Sequence, residues 1–143
     1  MLISAVHALG VFVEHGRSGY RKNMKLIYIV GPYRASGQWQ IFQNIRRAEA
    51  FALQVWQMGA ACICPHKNTE YFNGAAPDSV WLDGDLEMVR RCDAILCVPG
   101  WEASSGSLGE VALAKQLGLP IFRSIEELRK WLDQPPCSNV VSG

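Results

Sequence analysis

Two carboxylates stand out as residues able to do chemistry. Glu110 closes the segment Gly100-Trp-Glu-Ala-Ser-Ser-Gly-Ser-Leu-Gly-Glu110, and Asp85 lies in Asp83-Gly-Asp85-Leu-Glu87. Glycosidic bond cleavage uses such a pair, because one carboxylate attacks the anomeric carbon while the other protonates or orients the leaving group. Two simpler interpretations stay open. Glu110 would also suit the first turn of a helix, where the macrodipole favours it, and Asp85 would also suit a solvated helix face.

A Ser/Gly segment comes just before Glu110. Ser104, Ser105, Gly106 and Ser107 precede a helix predicted to begin at Leu108. Backbone N–H groups and hydroxyls at such a position bind phosphate or ribose hydroxyls. Ordinary N-capping explains the same residues equally well.

Further polar and aromatic residues fall in the predicted loops. Gly31 and Arg34 follow the first strand, where glycine permits close ligand approach and arginine can pair with an anion. Tyr28 points either into the crevice or into the core. His66 opens the second loop. A lone histidine is more often structural than functional, although this one lies at the end of the sheet where the site is expected. Trp101 lies in the third loop and is expected to stack on a base.

Several common site motifs are missing from the sequence. No Gly-Lys-Ser/Thr follows the first strand, so there is no Walker loop, and no Gly-x-Gly-x-x-Gly dinucleotide fingerprint occurs. No Gly-x-Ser-x-Gly elbow or Ser-His-Asp order is present. The carboxylate pair therefore carries the chemical hypothesis.

The elements that must position these residues alternate along the chain. Short apolar runs predict strands at 25–30, 60–64, 94–98 and 119–122, and helical patterns cover 44–58, 80–91, 108–117 and 125–132. This order predicts an α/β fold: a small doubly wound, flavodoxin- or Rossmann-like parallel sheet of four to five strands with helices on both faces. Ligands bind beyond the carboxyl ends of such strands, which places the site at loops 31–39, 66–79 and 99–107.

Local signals define several helix faces and ends. Gly59 and Gly118 are predicted to end helices, and Ser124 with Glu127 forms a capping box. The first helix has a buried stripe, and the second is expected to turn four side chains inward. The stripe consists of Ile41, Ile45, Ala48, Ala52 and Val55, and the four inward residues are Trp81, Leu82, Leu86 and Val89.

Length and composition limit the class of protein. The 143 residues are 49% hydrophobic with a net charge of +1, which is typical of one globular domain, here 24–133. Nothing indicates a nucleic-acid or membrane surface, so we expect a cytoplasmic protein. Residues 1–23 are interpreted as an extension, with Met24 as the expected native start, and 134–143 as a flexible tail.

The five cysteines follow no disulfide framework. Cys97 is predicted to be a buried core thiol. Cys62 and Cys64 alternate in a predicted strand beside His66, which makes a metal site conceivable, although no second ligand pair lies at zinc spacing.

Four motifs in order resemble the nucleoside 2-deoxyribosyltransferase superfamily. They are Ile27-Tyr-Ile-Val-Gly-Pro-Tyr-Arg34, Asp85-Leu with Cys92-Asp-Ala-Ile-Leu, Ser104-x-Gly106-x-x-x-Glu110, and Gly118-x-Pro-Ile. The resemblance covers about residues 24–122 and is greatest to the 2′-deoxynucleoside 5′-phosphate N-hydrolases and their small bacterial and phage relatives.

The resemblance implies a role for each matched residue. Glu110 matches the nucleophile, Asp85 the aspartate that assists at the sugar and leaving base, and Tyr28 the tyrosine that orients the nucleophile. No metal or cofactor is implied.

The resemblance also implies substrate-binding positions. Gly31 and Arg34 match the first loop at the phosphate end, and Ser104 and Gly106 match the hydrolase phosphate loop. The transferases for unphosphorylated nucleosides carry an acidic residue there, so Ser104 favours a 5′-monophosphate. His66 matches a loop histidine near the site. The loop 67–79 and Trp101 depart from the family pattern.

The resulting hypothesis is cleavage of a nucleoside or nucleotide N-glycosidic bond, or deoxyribosyl transfer, through a glycosyl-Glu110 intermediate. A nucleotide-binding sensor without turnover and another α/β enzyme acting on a phosphorylated sugar remain alternatives. The resemblance also implies a homodimer or larger homo-oligomer. The helix predicted at 44–58, with Phe42 and Phe51 off its main stripe, is the candidate interface.

Overall fold

A central sheet of four parallel strands organises the computed structural model, which describes residues 23–135. The strands are β1 (Leu26–Val30), β2 (Ala61–Ile63), β3 (Ala94–Cys97) and β4 (Ile121–Phe122), in the order β2-β1-β3-β4. β1 pairs in parallel with both β2 and β3, and β3 with β4. The predicted α/β class with a parallel sheet is confirmed.

The helices between the strands are α1 (Gln38–Gln57), α2 (Pro65–Asn68), α3 (Asp78–Arg91), α4 (Ser105–Gln116) and α5 (Ile125–Leu132). A short 3-10 helix, Trp101–Ala103, follows β3. Among the residues that the structure describes, no helix is long and apolar enough to cross a membrane. The predicted arm and tail, apart from residues 23, 134 and 135, lie outside the described residues.

The two faces of the sheet carry separate cores because strand side chains alternate between faces. Ile27 and Ile29 pack towards α1 and α5, where Val55 and Leu128 are buried. Tyr28 and Val30 point to the opposite face, which α3 and α4 cover. Tyr28 therefore lies on the α4 side, and this orientation later decides its partner.

Several local predictions are confirmed. The α1 stripe is buried from Ile45 to Val55, with Ile41 half-buried. Gly59 and Gly118 follow the ends of α1 and α4 with φ of 82° and 69°, a left-handed conformation that glycine adopts without strain. The Ser124 hydroxyl accepts the Glu127 N–H at 3.2 Å and so caps α5. Cys97 is buried as predicted.

Other local predictions are wrong in their boundaries. α1 begins at Gln38 rather than Asn44, directly after the extended Gly37. The stretch 66–79 is not all loop, because Pro65 begins the short helix α2, as proline favours the first helical position. α4 begins at Ser105, three residues before Leu108, since Ser104 caps it by accepting the Ser107 N–H.

Two side chains also face differently from the prediction. Leu82 is 45% exposed rather than turned into the core, because it lines the cavity beside Gly106 at the start of α4, whereas Val89 is fully buried. Phe51 is half-buried against the core under α1, whereas Phe42 is exposed and stacks on Trp39 with ring centroids 5.5 Å apart. Of the pair proposed for an interface, only Phe42 is therefore on the surface.

Candidate active site

A cavity of about 320 Å³ opens beyond the carboxyl ends of the strands, as the topology predicted. In the strand order, the connection after β1 runs to one side of the sheet and the connection after β3 runs to the other. Crevices form at such switch points between neighbouring strands. The walls come from the β1 loop, α2, α3 and the start of α4. The predicted site residues that line it are Gly31, Arg34, His66, Asp85, Ser104, Gly106 and Glu110.

Glu110 is a buried carboxyl group held by a tyrosine. The Tyr28 hydroxyl donates a hydrogen bond of 2.7 Å to Glu110 Oε1, joining the centre of β1 to α4. Tyr28 is fully buried and Glu110 is 7% exposed. This contact brings together two residues 82 positions apart in the chain.

The macrodipole interpretation of Glu110 is wrong. Because α4 begins at Ser105, Glu110 lies in its second turn, and the first turn holds no acidic residue. The influence of the helix dipole is concentrated in the first turn. Burial beside Tyr28, rather than the helix end, therefore defines the environment of Glu110.

Burial raises the pKa of Glu110 to about 8. The Tyr28 hydrogen bond lowers that pKa and the charge of Asp85 raises it, but both effects are smaller than burial. Burial also raises the pKa of Tyr28, followed by the effect of the Glu110 charge. The phenol therefore keeps its proton and acts as the donor in the pair.

Asp85 supplies a second carboxyl group to the same cavity. It lies on α3 and is half-buried, and burial raises its pKa to about 6. The two carboxyl groups thus differ in proton affinity although both belong to one cavity. Separated pKa values in one cleft are typical of groups that share acid and base roles.

His66 holds the β1 loop in place. Its Nε2 lies 3.1 Å from the carbonyl oxygen of Pro32, and its ring meets Tyr33 edge-on with centroids 6.0 Å apart. Because a carbonyl only accepts, Nε2 carries the hydrogen. Burial lowers the pKa of His66, so the ring is neutral at neutral pH. Nδ1 is buried without a partner.

Gly31 allows the β1 loop to pack closely against its neighbours beneath the cavity. A Cβ at this position would lie 3.2 Å from Cβ of Val98 and 3.6 Å from Cε1 of His66. Because Gly31 has no Cβ, the loop can pack on α2 and on the residue that directly follows β3. Gly31 also lines the cavity.

Arg34 lines the cavity but already has a partner. Its guanidinium forms an ion pair with Asp78, in the first turn of α3, and both side chains are largely exposed. An anionic ligand at Arg34 would have to compete with this carboxylate.

The first turn of α4 presents several polar groups. The Ser104 hydroxyl accepts the Ser107 N–H at 3.3 Å, which is the N-capping interaction considered for it. The N–H groups of Ser105 and Gly106 have no intrahelical partner at this position. Ser107 is 2% exposed and its hydroxyl lacks a partner. N-capping and ligand binding are thus compatible in this segment.

Trp101 is not brought to the cavity. It is 8% exposed in the core between the sheet and α4, with the Arg123 guanidinium 6.0 Å from its ring centroid. The 3-10 helix turns this loop residue inward. Trp81, which was predicted to face the core, lines the cavity instead.

The sequence did not single out several other lining residues, namely Tyr33, Thr69, Asn73 and Asp78. Only the four-residue spacing between Trp81 and Asp85 carried a signal, because it places both on one helix face. Within residues 23–135, no group of three histidine, cysteine or acidic side chains is arranged to hold a metal. Cys62 and Cys64 pack in the α1 core.

Comparisons with known proteins identify a family and a fold. No curated protein matches the chain. A solved structure of a 2-deoxyribosyltransferase from the psychrotolerant bacterium Bacillus psychrosaccharolyticus is similar, with a TM-score of 0.53 and 15% identity over 67% of this chain and 69% of that one. This similarity shows the fold that the resemblance implied. Residues 25–124 match the model of the domain of unknown function DUF7768, and the chain therefore belongs to the DUF7768 family.

Proposed function

We propose that this protein cleaves the N-glycosidic bond of a nucleoside or nucleoside 5′-monophosphate, with Glu110 as nucleophile. The observation that carries the proposal is the 2.7 Å hydrogen bond from Tyr28 to the buried Glu110, in the same cavity as Asp85. A nucleophilic carboxylate must be oriented by a neighbour and must share its site with a second acid.

In the empty cavity the proton is held by Glu110, whose pKa of about 8 exceeds the pKa of about 6 of Asp85. In the substrate complex this proton moves to Asp85, and the first step then uses the ionised form of Glu110 with the proton on Asp85. A Glu110 oxygen forms a bond to the anomeric carbon as the bond from that carbon to the base nitrogen breaks. The electron pair leaves with the base, which takes the proton from Asp85. Tyr28 donates to the carboxylate throughout and holds its lone pair towards the sugar.

The second step frees the enzyme. Water adds to the anomeric carbon, the bond to Glu110 breaks with its electrons returning to the carboxylate, and a water proton passes to Asp85. The products are the free base and the free sugar, or its 5-phosphate. A second base in place of water gives deoxyribosyl transfer.

The polar start of α4 and Arg34 are the groups proposed to bind the sugar and any 5′-phosphate. Ser104, Ser105 and Gly106 line the cavity together with Glu110, and the largely exposed Arg34 lines it from the β1 loop. Backbone N–H groups at a helix start suit an oxyanion.

The test is base release from a panel of substrates. The protein is incubated with deoxyribonucleosides, ribonucleosides and their 5′-monophosphates, and free base is measured by chromatography. We expect release by the parent and none by Glu110→Ala. Glu102→Ala, at an exposed position of the 3-10 helix, is the matched control and should retain activity.

A second function, nucleotide binding without turnover, is favoured by one observation. With a pKa of about 8, the Glu110 carboxyl is mostly protonated at neutral pH in the empty cavity and can donate a hydrogen bond to a ligand. This function predicts no base release from any compound, thermal stabilisation by a nucleotide, and unchanged binding in Glu110→Gln. Base release that depends on Glu110 would eliminate it.

We also propose that the protein forms a homodimer or larger homo-oligomer through α1. Trp39 is 64% exposed and stacks on the exposed Phe42, which makes an aromatic patch beside the site. Sedimentation of the parent and of Phe42→Ser tests this, and a parent that sediments as a monomer would refute it.

A further inference from the structure

Trp81 lines the cavity from the same face of α3 as Asp85. The two residues are four positions apart, so their side chains project in nearly the same direction one turn apart. In the proposed function, Asp85 works at the leaving base. A flat aromatic ring one turn away therefore borders the space that the base would occupy.

Phe72, which does not line the cavity, packs against the Trp81 ring. The ring centroids are 5.7 Å apart with planes inclined by 44°, and Phe72 comes from the segment between α2 and α3. Aromatic pairs at this separation are mutually stabilising. The indole ring is therefore held by packing.

The indole N–H of Trp81 has no partner. Nε1 is buried and makes no hydrogen bond, although buried indole N–H groups usually have one. An unpaired buried donor carries a free-energy penalty that a ligand acceptor can remove. The other buried side-chain atoms without partners among the described residues are His66 Nδ1 and Ser107 Oγ, and both residues also line this cavity. Within residues 23–135, the buried side-chain polar atoms without partners therefore all belong to residues that line this cavity.

Resting on the proposed function, we propose that Trp81 recognises the leaving base: its ring packs on the planar heteroaromatic group, and its N–H, which points out from the ring edge, donates to an oxygen of the same nucleoside beside that group. The ligand class is therefore a nucleoside with a planar base. Because Nε1 is buried in the unliganded protein, this donation requires the ring to turn towards the ligand. Trp81 is a specificity-determining residue, and Asp85 remains the group that moves the proton.

The test separates the two interactions of Trp81. Trp81→Phe keeps an aromatic ring and removes the N–H, whereas Trp81→Leu removes both. For base release, we expect a loss in kcat/KM of about tenfold to a hundredfold in Trp81→Leu, the range of base–aromatic stacking, and a smaller loss in Trp81→Phe. The loss should lie mainly in KM and should be larger for purine than for pyrimidine nucleosides.

Matched controls are available on α1. Trp56 is 55% exposed and does not line the cavity, so Trp56→Phe and Trp56→Leu should leave kcat/KM and base preference unchanged. Thermal unfolding of each variant establishes that it is folded. Should Trp81→Leu fail to fold, Trp81→Phe carries the test, because the predicted loss for it is selective for the base.

Binding distinguishes failure of this inference from failure of the proposed function. Calorimetric titration of the Glu110→Gln protein with each 2′-deoxynucleoside measures affinity without turnover. Affinity that falls in the Glu110→Gln/Trp81→Leu double variant supports the role of Trp81 even if the parent releases no base. Equal affinity with and without Trp81, absence of binding by every nucleoside, or base release that is unchanged in Trp81→Leu would overturn it.

Discussion

Replacing Glu110 by glutamine should change how the stability of the protein depends on pH. The carboxyl group has an ordinary pKa of 4.5 and a pKa of about 8 in the folded protein, so the folded state retains a proton that the unfolded state loses between these values. Stability rises with pH only where the unfolded state binds more protons, and here it binds fewer. Ionisation of Glu110 must therefore destabilise the fold as pH rises.

The magnitude follows from the size of the shift. One pKa unit corresponds to about 1.4 kcal/mol, so a rise from 4.5 to about 8 corresponds to roughly 5 kcal/mol of lost stability above pH 8. The side chain is only 7% exposed, so solvent screening reduces this little. Domains of this size have about 5–15 kcal/mol in total, so the effect is a large fraction of the whole.

Glutamine is a neutral mimic that still accepts the Tyr28 hydrogen bond. We expect the free energy of unfolding of Glu110→Gln, measured by urea titration under reducing conditions, to exceed that of the parent increasingly from about pH 5 to about pH 9. Below pH 4.5 the difference should become constant.

Glu102→Gln is the control for the loss of a carboxylate. Glu102 is exposed in the 3-10 helix next to the cavity, so its replacement should leave the difference from the parent nearly independent of pH. If the Glu110→Gln difference is also flat between about pH 5 and about pH 9, the inference that burial governs Glu110 is refuted.

Three further changes have defined outcomes. Tyr28→Phe removes the hydrogen bond that lowers the pKa of Glu110. The falling limb of kcat/KM against pH, expected near pH 8 where the carboxyl pair loses its shared proton, should therefore move to higher pH, and an unmoved limb would contradict this. Asp78→Asn removes the carboxylate that pairs with Arg34. Calorimetry should then show tighter binding of nucleoside 5′-monophosphates and little change for unphosphorylated nucleosides, whereas equal effects on both would refute the role of Arg34 in phosphate binding. Gly31→Ala places a Cβ 3.2 Å from the Cβ of Val98. This overpacking should lower the free energy of unfolding, measured by urea titration, by about 1–3 kcal/mol. An unchanged value would show that the β1 loop moves to accommodate the methyl group.

Local sequence signals determined the fold class and the end of the sheet at which the cavity lies. The apolar strand runs and the stripe of α1 can be read from the sequence because residues that face the core are apolar. Gly59 and Gly118 end their helices because glycine adopts a positive φ without strain. A parallel sheet then follows from the alternation of strands and helices, and the site follows from the switch point. Helix starts were less predictable, because α1 and α4 extend back to Gly37 and Ser104 through capping geometry.

Tertiary structure decided what each site residue contacts. The sequence contained Tyr28 and Glu110, but only packing of α4 on β1 puts them 2.7 Å apart, and only burial raises the pKa of the carboxyl group. The exchange of roles between Trp101 and Trp81 has the same origin. The 3-10 helix turns Trp101 into the core, while Trp81 on α3 faces the cavity. Periodicity in a sequence says which residues share a face, whereas the contacts of that face depend on how the elements pack, and that is set by the whole chain.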